Sequence, residues 1–260
     1  MITTLVLLLA APAVDTTSAP EAAPSEYGTF RLTAGVSRAS ARLRVTTVET
    51  QAPDSALAED LAVSLGEEID VETLTFETVL SYNWRFLELS AQAGFANTES
   101  GFDLRLSGEL PEDSLAPGPF DIGLESSESQ SGFLYGVGGA FYVPLGPLVF
   151  RGGSTVSFRR FDTLNSTAFT GTAGLVRRQP IGGVPIDFSL GTAYAWISRR
   201  SEFSRSIVGD PITVRIEQEL RDPWSLVAAV GLPLGDSARL LLATTQSFTG
   251  TSGYSVRLAF

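Results

Sequence analysis

The sequence contains no lysine, no histidine and no cysteine, and its one methionine is residue 1. Each absence closes a chemistry. Without lysine there is no phosphate-loop lysine, no Schiff base and no Ser-Lys dyad. Without histidine there is no imidazole general base, no Ser-His or Cys-His nucleophile and no histidine metal ligand. Without cysteine, thiolate zinc sites, iron–sulfur clusters and redox disulfides are excluded too. Basic charge is scarce: 29 acidic residues against 18 arginines leave a net charge of −11. Nucleic acid is therefore an unfit partner, because phosphate binding needs a basic footprint.

A long apolar run is also missing. Nothing approaches the ~18 residues of a spanning helix. The longest stretch, Leu5 to Val14, suits the core of a signal peptide, with Ala11 and Ala13 forming an A-x-A site. Its flank, Met1-Ile2-Thr3-Thr4, lacks the usual positive charge. Up to Glu26 the chain is rich in Pro, Ala, Ser, Thr and Glu, too polar to order itself. Residues 1–20 are expected to be a signal peptide, 21–26 a flexible lead-in and 27–260 one domain.

Yet 43% of the residues are hydrophobic and the mean hydropathy is +0.16, high for an acidic protein, so the apolar residues must be dispersed. They recur with period two, the mark of strands. Tyr254, Val256, Leu258 and Phe260 alternate with Ser255, Arg257 and Ala259. Leu74, Phe76, Leu80, Tyr82 and Trp84 alternate with Thr73, Thr75, Glu77 and Ser81. The even positions from Ile212 to Leu232 read as a single phase, broken by Pro223. Continued upstream, the alternation gives ten strands, or eight if the weak segments around Arg38 and Asn165 are discounted.

The second face of these strands is Gly, Ala, Ser and Thr with scattered Arg and Glu. A soluble barrel points large apolar residues inward and charge outward. An apolar outside around a small, polar inside is the inversion expected of a closed antiparallel transmembrane β-barrel. Short turns, such as Asn83-Trp84 and Leu145-Gly146-Pro147, alternate with long connections at about 46–70 and 98–130. With Glu72 at the edge of the first, those two regions hold 16 acidic residues against the single Arg105, an acidic crown at one end. Asp54 to Gly66, with Leu57, Leu61 and Leu65 at helical spacing, reads as a short rim helix or a loop.

The alternating strands, the signal-like start, the aromatics near strand ends (Tyr82, Trp84, Tyr194, Trp196, Trp224) and the final Gly253 to Phe260 resemble bacterial outer-membrane β-barrel proteins. The resemblance implies an outer-membrane location, with both termini and the short turns periplasmic and the long loops extracellular. It implies outer-membrane lipid and lipopolysaccharide as surroundings, and Tyr254, Val256, Leu258 and Phe260 as a signal read by the barrel-assembly machinery. Known enzymes of this architecture rely on a catalytic histidine, so no catalysis, cofactor or metal site is expected.

Seven charged residues fall on the inward face: Arg31, Glu77, Glu88, Arg151, Asp187, Arg239 and Arg257. A turn at Asn83-Trp84 sets Glu88 opposite Val79 and diagonal to Glu77, about 7–8 Å away. Two carboxylates so placed can do acid–base work. The stronger expectation is ion pairing across a narrow lumen, as a plug or a constriction. The function expected first is a narrow channel for ions or small polar solutes. The alternative is a plugged structural or surface-recognition barrel acting through its acidic loops, and a histidine-free hydrolase comes last.

Overall fold

A chain in contact with lipid on one side and a packed lumen on the other must alternate residue by residue, and it does so through nearly the whole molecule. The computed structural model describes residues 28–51, 62–65, 68–110, 118–162, 164–207, 210–235, 237–247 and 252–260. The signal peptide expected at 1–20 and the lead-in at 21–26 lie outside them. The strands are β1 (Thr29–Gln51), β2 (Ala62–Leu65), β3 (Glu68–Trp84), β4 (Leu87–Leu110), β5 (Gly118–Leu145) and β6 (Leu148–Arg160). They continue with β7 (Leu164–Ile181), β8 (Val184–Ile207), β9 (Asp210–Leu220), β10 (Trp224–Leu234), β11 (Ala238–Ser247) and β12 (Ser252–Ala259). All neighbours pair antiparallel, and the sheet closes on itself.

Ten strands and eight strands are both present, at different heights. In the lower part, at the short-turn end, β8 pairs with β10, and β11 and β12 follow before β12 meets the first half of β1 at Thr33 to Ala39. Higher up, β9 bridges directly from β8 to the second half of β1, Leu43 to Gln51. The β11–β12 hairpin is thus wedged beneath the β9–β1 closure. At about 4.8 Å between strands and a tilt near 40°, the radius narrows from about 10 Å to about 8 Å. β2 is an extra strand on the edge of β4.

The lower tier carries the expected inversion. Phe76, Leu89, Phe95, Val137, Leu190 and Tyr254 stand exposed on its outer face. On β4 the apolar face runs from Leu87 to Phe95, about 20 Å in height once tilted, close to the ~25 Å band of a membrane-crossing barrel. Aromatic pairs fringe both edges: Phe30–Tyr82 below, with ring centroids 4.9 Å apart, and Phe95–Phe133 and Tyr194–Trp224 above, at 4.7 and 5.2 Å. The short turns are tight. Gly182 and Gly183 both take positive φ, 60° and 84°, as a two-residue hairpin turn requires.

Above the belt the polarity reverses. On β1 the outward positions change from Phe30 and Leu32 to Arg38, Arg42 and Arg44, while the inward ones become Ala39, Ala41 and Leu43. On β3 Glu68, Asp70 and Glu72 face out and Ile69 and Val71 face in.

Several expectations are corrected. Ile212 to Leu232 is not one phase: Val214 and Ile216 in β9 are buried inside, whereas Trp224 and Leu226 in β10 are exposed outside. The flip occurs at Arg221–Pro223, where β8 changes its pairing offset by one residue. The turn expected at Asn83-Trp84 lies two residues later, at Arg85-Phe86, with Trp84 paired to Leu87. The long connection at 98–130 is mostly a continuous ladder from Leu87–Phe141 to Leu110–Gly118. Outside lipid no face of a strand has to be apolar, so such a hairpin reads as loop. At 46–70, β1 continues to Gln51 and β3 begins at Glu68. Of the segment expected as a rim helix, Ala62–Leu65 is strand β2 and 54–61 lie outside the described residues.

Candidate functional site: the lumen and its closure

The inward face of the lower tier holds three groups of charges, each spanning neighbouring strands. Nearest the short turns, Asp187 on β8 accepts hydrogen bonds from Arg178 on β7, at 2.8 and 3.3 Å, and from Arg239 on β11. On the opposite wall Glu88 on β4 accepts from the Tyr142 hydroxyl on β5. Arg151 on β6 donates to the same Tyr142 oxygen at 3.1 Å and lies 3.9 Å from Glu88. Deeper in, Arg257 on β12 bonds to Glu77 on β3, both side chains 1% exposed. Arg159 on β6 adds a further positive charge in the field of Glu77.

Backbone economy makes the Glu77–Arg257 bond possible. In register, Gly35 on β1 sits between them, paired to both. A Cβ at Gly35 would lie 2.2 Å from Cγ of Arg257, so only glycine lets the arginine cross to the carboxylate. Gly94, the partner of Glu77 on its other side, is as tight against the Phe76 carbonyl, at 2.1 Å.

Of the seven inward charges read from sequence, six fall into these groups. Arg31 faces the lumen near the base of β1, in register with Ser81. The two carboxylates do not form a pair. Glu88 is in register with Asn83 and Glu77 with Gly94, six residues apart, about 20 Å along the strand. The misplaced turn caused that error.

Sequence reading missed Tyr142, Arg159, Arg178 and the buried Arg199, which donates to Ser100 at 3.1 Å. Strand phase identifies two of them. Phe141 and Val143 face out, so Tyr142 must face in; Leu175 and Arg177 face out, so Arg178 must face in.

Above the charges the lumen is filled by apolar side chains. Ala39, Ala41, Leu43, Ile69, Val71, Ala168, Ala193, Ala195 and Ile197 form one buried cluster, with Val45 and Leu220 against it. Leu43 is 0% and Ile197 1% exposed. An eight-stranded barrel has an interior just wide enough for its own side chains, and here hydrocarbon packs with the buried Thr73, Thr98, Ser100, Arg199 and Gln218. The outer face at this height is paired charge. Arg42 bonds to Asp70 at 3.1 Å, Arg215 to Glu202 at 3.0 Å, Arg221 to Glu68 and Arg200 to Glu217. The hydrogen bond and charge of Glu217 raise the Arg200 pKa above the ordinary arginine value.

Tyr254, Val256, Leu258 and Phe260 all face outward on the closing strand. Phe260 exchanges backbone hydrogen bonds with Leu32, at 2.8 and 3.2 Å. Among the described residues no group of three or more acidic side chains is placed to hold a metal ion.

No known family and no curated protein matches this sequence. Solved structures similar to it are bacterial outer-membrane barrels. The β domain of the Bordetella autotransporter BrkA is 9% identical, with a TM-score of 0.41, over 89% of this chain and 99% of that one. An outer-membrane channel from Pseudomonas putida F1 is 8% identical, with a TM-score of 0.38, over 92% and 99%. The translocator domain of the autotransporter NalP from Neisseria meningitidis is 14% identical, with a TM-score of 0.33, over 88% and 87%.

Proposed function

We propose that the chain is an outer-membrane barrel whose lumen is closed. On this reading it is a membrane-seated pedestal carrying the β4–β5 and β8–β9 hairpins to the cell surface, with the short turns and both termini periplasmic. The observation that carries the reading is the buried apolar cluster around Leu43 and Ile197, which packs into the narrow tier above the ion pairs. A hydrated ion would have to leave its water to cross it. The β4–β5 hairpin carries eight acidic residues from Glu99 to Glu128 against Arg105 alone, which suits a cationic surface or partner. Neither catalysis nor a cofactor is part of this reading, since the lumenal carboxylates are held in ion pairs rather than facing a cleft.

A narrow channel is the second reading, favoured by the polar, charged lumen of the lower tier. Planar-bilayer recording separates the two. The expected result is no stepwise conductance from the native chain and conductance from the Leu43→Gly/Ile197→Gly double variant. Steps from the native chain that change with Arg151→Ala or Arg239→Ala would overturn the closed barrel.

A further inference from the structure

On the outer face of the lower tier, two rows of side chains cross β7, β8, β10, β11 and β12 in register. One row begins at Arg177 and passes Phe188 and Val230. The row above it has small residues, Ala228 and Thr244, at its centre and ends at Tyr254. Between the rows lies a groove of about 700 Å³. It crosses four strand spacings, about 19 Å, and rises roughly 12 Å with the strand tilt, within the ~15 Å depth of one leaflet.

Arg177 is out of character with this surface. Its cross-strand neighbours are Leu148 and Phe188, and no described carboxylate pairs with it. Its neighbour Arg178 turns inward to Asp187, so Arg177 leaves an uncompensated positive charge at the lower edge of an apolar groove. A guanidinium binds phosphate through two parallel hydrogen bonds. An arginine at headgroup depth can keep its charge wet while its stem lies on hydrocarbon.

We propose that Arg177 and this groove hold one glycerophospholipid, its phosphate on the guanidinium and one acyl chain along Phe188 and Ala228. The choice of a glycerophospholipid over lipid A rests on the orientation proposed above, which puts Arg177 in the periplasmic leaflet. Dioleoyl phosphatidylglycerol, titrated onto the detergent-purified chain and followed by native mass spectrometry, tests the site. The expected result is one retained lipid on the native chain and at least ten-fold weaker retention by Arg177→Gln and by Ala228→Phe, which fills the groove. Arg85→Gln, at the β3–β4 turn, should leave retention unchanged. Inorganic phosphate should not displace the lipid. No retained lipid on the native chain, equal retention by Arg177→Gln, or displacement by phosphate alone overturns the site. Preference for lipid A that still depends on Arg177 overturns the orientation instead.

Discussion

The lower and upper tiers of this barrel solve opposite problems with one set of strands. Below Arg38 and Glu72, β1 and β3 put Phe30, Leu32, Phe76 and Leu80 outside and Glu77 inside. Above that line the same strands put arginine and acid outside and Leu43, Ile69 and Val71 inside. The backbone alternation continues across the line, but the chemistry of its two faces is exchanged. The lower tier is a membrane barrel, polar within and apolar without. The upper one is built more like a soluble barrel, with apolar residues such as Leu43, Ile69 and Ile197 inside and paired charge outside. What lies outside a strand, lipid or water, therefore decides which of its faces must be apolar.

If the tiers differ in this way, the largest effect should come from the lower lumen. Glu77→Ala leaves Arg257 buried without its carboxylate, a cost of about 3–5 kcal/mol for breaking a buried pair. It should appear as a lowered temperature for loss of the folded band on a heat-modifiability gel. The double variant Glu77→Leu/Arg257→Met should recover most of the loss. If it is as unstable as Glu77→Ala, the pair is not the cause.

Next is the upper core. Ile197→Ala removes buried hydrocarbon and should cost about 3 kcal/mol, as in a soluble protein. No measurable change would mean that the upper lumen is not packed.

The outer faces give the smallest effect and the sharpest contrast. Leu80→Arg puts charge against lipid near mid-belt and should cost about 2–3 kcal/mol. Arg42→Ala, on the outer face of the same sheet above the belt, should cost less than about 1 kcal/mol, and its effect should vanish in high salt. Equal costs for the two would remove the boundary between the tiers.

The lower tier was legible in the sequence because lipid is an exacting solvent. The face turned to it is dominated by large apolar side chains, so Leu74 to Trp84, Leu87 to Phe95 and Tyr254 to Phe260 announce their faces directly. The upper tier was not, because its apolar residues occupy the face that is polar lower down. Read with one rule throughout, Ala39 to Leu43 looked like a phase shift and Val214 to Ile216 looked lipid-facing. The ion-pair partners were half legible. Strand parity places a charge inside but does not say which charges meet, and a turn misplaced by two residues sent Glu88 to Val79 instead of Asn83. Gly35 gave no signal at all, since its role is visible only once Glu77 and Arg257 flank it.

The narrowing at the β11–β12 hairpin gives the molecule a shoulder, with a broad base of ten strands and a slimmer neck of eight. Tyr254 and Arg38, in register near the tip of that hairpin, set the shoulder at the top edge of the apolar belt. Only the base must match the thickness of a bilayer, so mismatch strain from a thicker or thinner membrane falls on the base. The neck, held by its own hydrocarbon core, meets no lipid. Its hairpins can therefore keep their geometry as the membrane around the base changes.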